Sequence, residues 1–177
     1  MVNETGLIHL YCGDGKGKTS CAMGLVLRML GAGGKVIVAQ FLKEGDSSEL
    51  KALSALPQVQ VFSGKPVPGF TFSMTLEQKE QLRRHHTQRL QEMIDLCSRE
   101  QPDLLVLDEA VASFNLGLLD KELLLSFLRQ KPRSLEVALT GREPSQELME
   151  LCDYISDIHC LRHPYEKGIQ ARKGVEL

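Results

Sequence analysis

Three glycines, two lysines and two hydroxyl side chains crowd into eight residues near the N-terminus, Gly13-Asp-Gly-Lys-Gly-Lys-Thr-Ser20. Gly13, Gly15 and Gly17 let successive backbone N–H groups converge on one point, and converging donors make an anion cradle. A helix starting directly after the loop adds its unpaired N–H groups and its dipole to the same pull. Lys16 and Lys18 bring point charges suited to phosphate oxygens. The Thr19 hydroxyl, with Ser20 beside it, is the donor type that ligates a phosphate-bound Mg2+ or Mn2+. A second chemical pair follows the apolar run Leu104-Leu-Val-Leu107. Asp108 could hold the metal directly or through water, and Glu109 could be a further ligand or a base. Arg142, after Thr140-Gly141, could reach phosphate oxygens; the alternative is an ordinary surface arginine in a turn.

These groups work only if strands and helices carry them to one edge. Leu7–Cys12 reads as a buried strand, and Lys18–Leu30 as a helix with Ala22, Met23, Val26, Leu27 and Leu30 on one face. Further strands are expected at Lys35–Phe41, Gln58–Phe62, Asp103–Asp108, Leu135–Thr140 and Tyr154–Leu161. Helices are expected at Ser47–Leu56, Thr75–Arg99, Asp120–Arg129 and from about Pro144 to Cys152. Thr75 with Gln78 has the spacing of a capping box. The alternation predicts an α/β fold: a mostly parallel sheet with helices on both faces, in one domain spanning 1–177. In such a sheet, a carboxylate at a strand's C-terminal end stands at the ligand-binding edge. The strand–glycine loop–helix order is the context of a P-loop, and the fold expected is single-domain and P-loop NTPase-like, of RecA-like type. Against the usual GxxxxGK[ST] frame, Cys12 stands where the first glycine belongs, so the glycine frame is one residue short.

Composition narrows the partners. The 177 residues carry a net charge of −2, with 42% hydrophobic and 25% charged residues. That is globular and offers no basic field for nucleic acid or an anionic membrane. No stretch approaches membrane-span length. The five cysteines form no metal-type or CxxC spacing, which reads as reduced thiols and a cytoplasmic setting. Tryptophan is absent. Ser63–Met74 holds two prolines, two glycines and two phenylalanines and reads as an ordered loop. His86 lies on the apolar stripe of its helix and reads as a partly buried histidine with a hydrogen bond rather than a metal ligand.

The segments Gly13–Ser20, Val38-Ala-Gln-Phe-Leu-Lys43, Gly69-Phe-Thr-Phe72, Val106-Leu-Asp-Glu109, Thr140-Gly-Arg142 and Gly168-Ile-Gln-Ala-Arg-Lys-Gly-Val-Glu176 occur in this order. Together they resemble the P-loop type of ATP:corrinoid adenosyltransferase, from about residue 6 to the C-terminus, and the shortened glycine frame is part of that resemblance. It implies that a reduced corrinoid, with cobalt in the +1 state, attacks the 5′ carbon of ATP and that triphosphate leaves. It implies ATP contacts at Gly13, Asp14, Gly15, Lys16, Gly17, Lys18, Thr19, Ser20, Arg28 and Arg142, and metal contacts at Thr19, Asp108 and Glu109. Lys18 and Glu109 would be the catalytic groups. Phe70 and Phe72 would face the corrinoid and help displace the lower axial base of cobalt; on the residues alone they could equally plug the protein's own core. Asp14 stands where asparagine is frequent, and its carboxylate must turn outward or accept backbone N–H bonds. A homodimer and an electron-donating flavoprotein belong to the same implication. Because the chain starts close to its first strand, an active-site lid is expected from the tail, a loop or a partner subunit. The competing readings are an ordinary P-loop NTPase or phosphotransferase, and a non-catalytic nucleotide- or corrinoid-binding protein.

Overall fold

The computed structural model describes residues 4–45, 47–66, 69 and 71–176. Six strands, β1 (Ile8–Cys12), β2 (Val36–Gln40), β3 (Val59–Phe62), β4 (Leu104–Asp108), β5 (Glu136–Thr140) and β6 (Tyr154–Asp157), form one sheet in the order β3-β2-β4-β5-β1-β6. Every pairing is parallel, so the sheet goes beyond the mostly parallel expectation. All C-terminal strand ends therefore meet at one edge. The register sets Tyr11 of β1 opposite Thr140 of β5, and Leu107 of β4 opposite Leu139 of β5. β5 thus stands between the glycine-loop strand and the Asp108 strand.

Parallel connections need crossovers, and the helices supply them on both faces. α1 (Lys18–Gly31) and α2 (Ser48–Leu53) cover one face, burying Ala22, Met23, Val26 and Leu50 against Val36, Val38, Val106 and Ala138. α3 (Leu76–Glu100), α4 (Ala110–Asn115), α5 (Lys121–Gln130) and α6 (Gln146–Met149) cover the other, against Leu10, Ile37, Leu105, Leu107 and Leu139. Central strands buried on both faces explain why β2 and β4 read as apolar runs up to their last residue, and why β5 is apolar through Val137–Leu139.

The capping box of α3 forms as its spacing predicts: Thr75 Oγ1 accepts from Gln78 N, and Gln78 Oε1 accepts from Thr75 N at 2.9 Å. Asp120 and Ser145 cap α5 and α6. α1, like α2 and α4, has no side-chain hydrogen bond at its N-cap, and that residue is Gly17, which has no side chain to offer one. Its first N–H groups are left to whatever enters the loop.

Several expectations are corrected. The six-residue α4 was not anticipated, because so short a helix gives less than two turns of apolar pattern. Met29, not Leu27, completes the buried face of α1, and Leu27 is 63% exposed. β6 ends at Asp157 and is exposed throughout, as an edge strand flanked only by β1. Within Ser63–Met74, Thr71–Ser73 form a short 3-10 turn, while Phe70 lies outside the described residues. Among the described residues, no helix is long and apolar enough to cross a membrane.

Candidate functional site

β1 ends at Cys12, and the chain turns through Gly13 at φ +101° and enters α1 through Gly17 at φ +122°. Both conformations are left-handed and favour glycine. The loop rests on the chain that leaves β6. Gly15 N donates to Ile158 O at 2.7 Å, and a Cβ on Gly15 would lie 2.7 Å from that oxygen. Asp14 turns outward and accepts the N–H of Cys160 at 3.0 Å. This bond, ahead of the nearby His159 and Arg142, holds its carboxyl below the usual range. The loop interior is thereby kept free of its negative charge.

Lys18 folds back on the loop and donates to Gly15 O at 2.7 Å. Burial, then repulsion from Arg142, lowers its pKa. The closing segment approaches the same loop. Arg172 pairs with Glu176 at 2.9 Å, and Arg172 first, with Lys16 a smaller contributor, draws the Glu176 carboxyl down to about 2.

Asp108 is the hub. It is fully buried, and each carboxylate oxygen accepts two donors. Thr19 Oγ1 at 2.8 Å and Thr140 Oγ1 at 2.7 Å donate to Oδ1. Gln40 Nε2 at 2.9 Å and Lys43 Nζ at 3.1 Å donate to Oδ2. The strand order accounts for this set. Thr140 of β5 stands between Thr19, which follows β1, and Asp108 of β4, while Gln40 arrives from the neighbouring β2. Ser47 Oγ in turn donates to Gln40 Oε1 at 3.2 Å, fixing the amide's orientation. Glu109 follows in the left-handed region at φ +60°, its N–H held by Thr140 Oγ1 at 2.9 Å. A non-glycine residue there stores strain of the kind found at functional sites. Burial first, and the adjacent Asp108 second, raise the Glu109 pKa against the pull of Lys43, Lys18 and Arg142.

The structure therefore brings Gly13–Ser20, Asp108, Glu109 and the Arg142 turn to one edge. Arg142 itself is exposed, and Asn115 of α4 donates to its carbonyl at 3.2 Å. Two other residues stand apart. Arg28 lies in the last turn of α1, exposed and ten residues beyond Lys18, about 15 Å along the axis at 1.5 Å per residue. Phe72 is 84% exposed on the 3-10 turn. Gln40, Lys43 and Thr140 were not foreseen as site residues. For Gln40 and Thr140 the available signal was a polar residue closing a buried strand; Lys43, three residues beyond β2, gave none.

Among the described residues, no group of three or more His, Cys, Asp and Glu is arranged to hold a metal by itself. Thr19 Oγ1 nevertheless stands at the loop, with the buried Asp108 carboxylate 2.8 Å behind it. Mg2+ takes one or two protein oxygens and completes its shell with phosphate and water, so Thr19 fits as a direct ligand and Asp108, its oxygens already accepting two hydrogen bonds each, fits as the carboxylate that orients Thr19.

Residues 4–177 match the sequence model of the family described as ATP:corrinoid adenosyltransferase BtuR/CobO/CobP. The chain belongs to this family. A corrinoid adenosyltransferase of Pseudomonas aeruginosa is 30% identical over 175 residues, covering 99% of this chain and 85% of that protein. One from Escherichia coli K12 is 29% identical over 179 residues, covering 98% and 87%. Corrinoid adenosyltransferase CobA of Salmonella typhimurium is 27% identical over 182 residues, covering 98% and 86%. By these names, the family is one of transferases. Among solved structures, Thermomonospora curvata EccC (ATPases 2 and 3), in complex with a signal sequence peptide, superposes with a TM-score of 0.50 at 15% identity. The match covers 89% of this chain but only 32% of that one, and it establishes the α/β P-loop NTPase-like fold alone.

Proposed function

We propose that this family member, working as one domain over 1–177, transfers the 5′-deoxyadenosyl group of ATP to a reduced Co(I) corrinoid. The cobalt lone pair forms the Co–C5′ bond, the C5′–O bond breaks, and its electron pair leaves on triphosphate. The observation that carries this reading is the convergence on Asp108: Thr19, Thr140, Gln40 and Lys43 lock a carboxylate beside an uncapped helix start and its glycine loop. Co(I) needs no side-chain nucleophile. The protein's tasks are alignment and neutralising charge that grows on the leaving group.

The loop N–H groups, Lys16 and Lys18 suit the second task, with Ser20 and Arg142 at the rim. Lys18 would exchange the Gly15 carbonyl for phosphate oxygens. Thr19, oriented by Asp108, would hold Mg2+ or Mn2+ with Glu109 as a further ligand, and the metal supplies further charge to the triphosphate. Phe70 and the exposed Phe72 would meet the corrinoid. Arg28, too far along α1 to serve this chain's own loop, would act on nucleotide only across a homodimer. A flavoprotein electron donor, which rests on family resemblance, and a cytoplasmic setting, which rests on the scattered cysteines, complete the proposal.

One observation favours a second reading. Glu109 is a largely buried carboxylate with a raised pKa beside the loop, as a base activating water in a hydrolase would be. Product analysis separates the two. The protein is given ATP, Mg2+ and chemically reduced corrinoid without oxygen. Adenosylcorrinoid plus triphosphate is expected; ADP or phosphate with no cobalt–carbon bond would sink the proposal in favour of the hydrolase.

A further inference from the structure

Arginine is seldom buried unless its donors are matched. Arg89, in the fourth turn of α3, is 7% exposed, and its acceptors come from two distant strand ends. One terminal nitrogen donates to Gln40 O at 2.8 Å, where β2 ends. The other donates to Ser63 O at 3.0 Å and Gly64 O at 2.7 Å, directly after β3. That second nitrogen also lies 2.8 Å from Nε2 of His85; its two hydrogens already serve the two carbonyls, so this contact is at most a shared one. A rigid planar fork can gather carbonyls from two chain segments; a lysine ammonium cannot reproduce that spread.

The joined segments belong to different parts of the site. Gln40 is the residue whose amide donates to Asp108. Ser63 and Gly64 are the root of the 63–74 loop. The two stretches touch again further out: Gly69 N donates to Glu44 at 3.2 Å, and a Cβ on Gly45 would lie 3.0 Å from Gly64 N. No residue of α3 has been given a role in the chemistry, yet this one spans both loops.

We propose that Arg89 is a positioning residue that clamps the root of the 63–74 loop to the end of β2, fixing where that loop stands relative to Asp108 and the nucleotide. The inference rests on the reading that this loop receives the corrinoid. Arg89 touches neither substrate and acts through the loop it holds.

The test compares the full-length protein with Arg89→Gln and Arg89→Lys, by backbone hydrogen exchange and by steady-state kinetics. In Arg89→Gln, exchange in peptides covering 63–66 and 71–74 should accelerate roughly tenfold, while the central strands and residues 13–20 keep wild-type rates. The KM for corrinoid should rise about tenfold, with kcat and the KM for ATP within about twofold. Arg89→Lys, which keeps the charge but not the fork, should fall between, and it decides the matter if Arg89→Gln does not fold. Unchanged loop exchange would overturn the proposal. So would a loss spread evenly over all peptides with both KM values and kcat changing together, because that is what a purely structural arginine would give. If the wild-type protein makes no adenosylcorrinoid, the proposed function fails, and the exchange result alone decides the role of Arg89.

Discussion

Replacing Asp108 with asparagine keeps the side chain's shape and removes its charge. The buried carboxylate accepts four hydrogen bonds, and the new amide can accept only on one side. If the NH2 faces Gln40 and Lys43, it meets an ammonium that only donates and an amide that must flip out of its Ser47 contact to present its oxygen. Facing Thr19 and Thr140 costs less, because their hydroxyls can rotate to accept. Thr140 already accepts the Glu109 N–H, and Thr19 must give up its donation. The Lys43 ammonium loses its ion partner, but its side chain is 33% exposed and can return to water, which limits that part of the loss. Charge-assisted hydrogen bonds contribute about 1.5–3 kcal/mol each, and here they weaken rather than vanish, so Asp108→Asn should cost about 2–4 kcal/mol. In a chain of this size, that lowers the thermal midpoint by roughly 5–12 °C. The assay is urea and thermal unfolding without nucleotide or metal at pH 7. A loss below about 0.5 kcal/mol, or a gain, would refute the reasoning, because the fold would then be tolerating the Asp108 charge rather than depending on it.

Glu109→Gln should act in the opposite direction. A raised folded pKa means that the contribution to stability is full below the ordinary carboxylate value of 4.5 and is lost as pH rises through the raised value. Unfolding at pH 7 should therefore show a gain of up to about 1 kcal/mol in the variant, and a smaller decline above pH 4.5. His86 is fully buried, with Nδ1 on Leu118 O at 3.2 Å and Nε2 without a hydrogen-bond partner. Burial first, then Arg89 and His85, push its pKa down to about 3, so its contribution is full above the ordinary value of 6.5 and is lost as pH falls towards 3. The limiting slope from this one group is about 1.4 kcal/mol per pH unit, and urea titrations of His86→Leu between pH 7 and 4 should show that slope removed. Lys18→Ala should reduce turnover at saturating corrinoid roughly 100- to 1,000-fold, while nucleotide-free stability changes by less than about 1 kcal/mol. Unchanged turnover would contradict its phosphate role.

The features that residue order alone determines are local ones. The glycine loop was legible because strand, loop and helix start are contiguous, and its anion-cradling geometry comes from neighbouring residues. The capping box was legible because Thr75 and Gln78 are three positions apart. Strands β2 and β4 were legible because double burial leaves runs that are apolar up to their last residue. The pairing of Asp108 with Thr19 spans 89 positions, and that with Gln40 spans 68. The placement of β5 between β1 and β4, which makes Thr140 part of the hub, is a matter of sheet order. Asp14 left its direction open until Cys160, 146 positions away, supplied an N–H for it. Arg89 read as one more polar residue in a helix otherwise marked by Leu82, His86, Leu90 and Met93; only the carbonyls of two remote strand ends make its burial tolerable. Periodicity records which face of an element is apolar. It carries nothing about which distant polar group will satisfy another once water is gone, and that choice belonged to the tertiary structure.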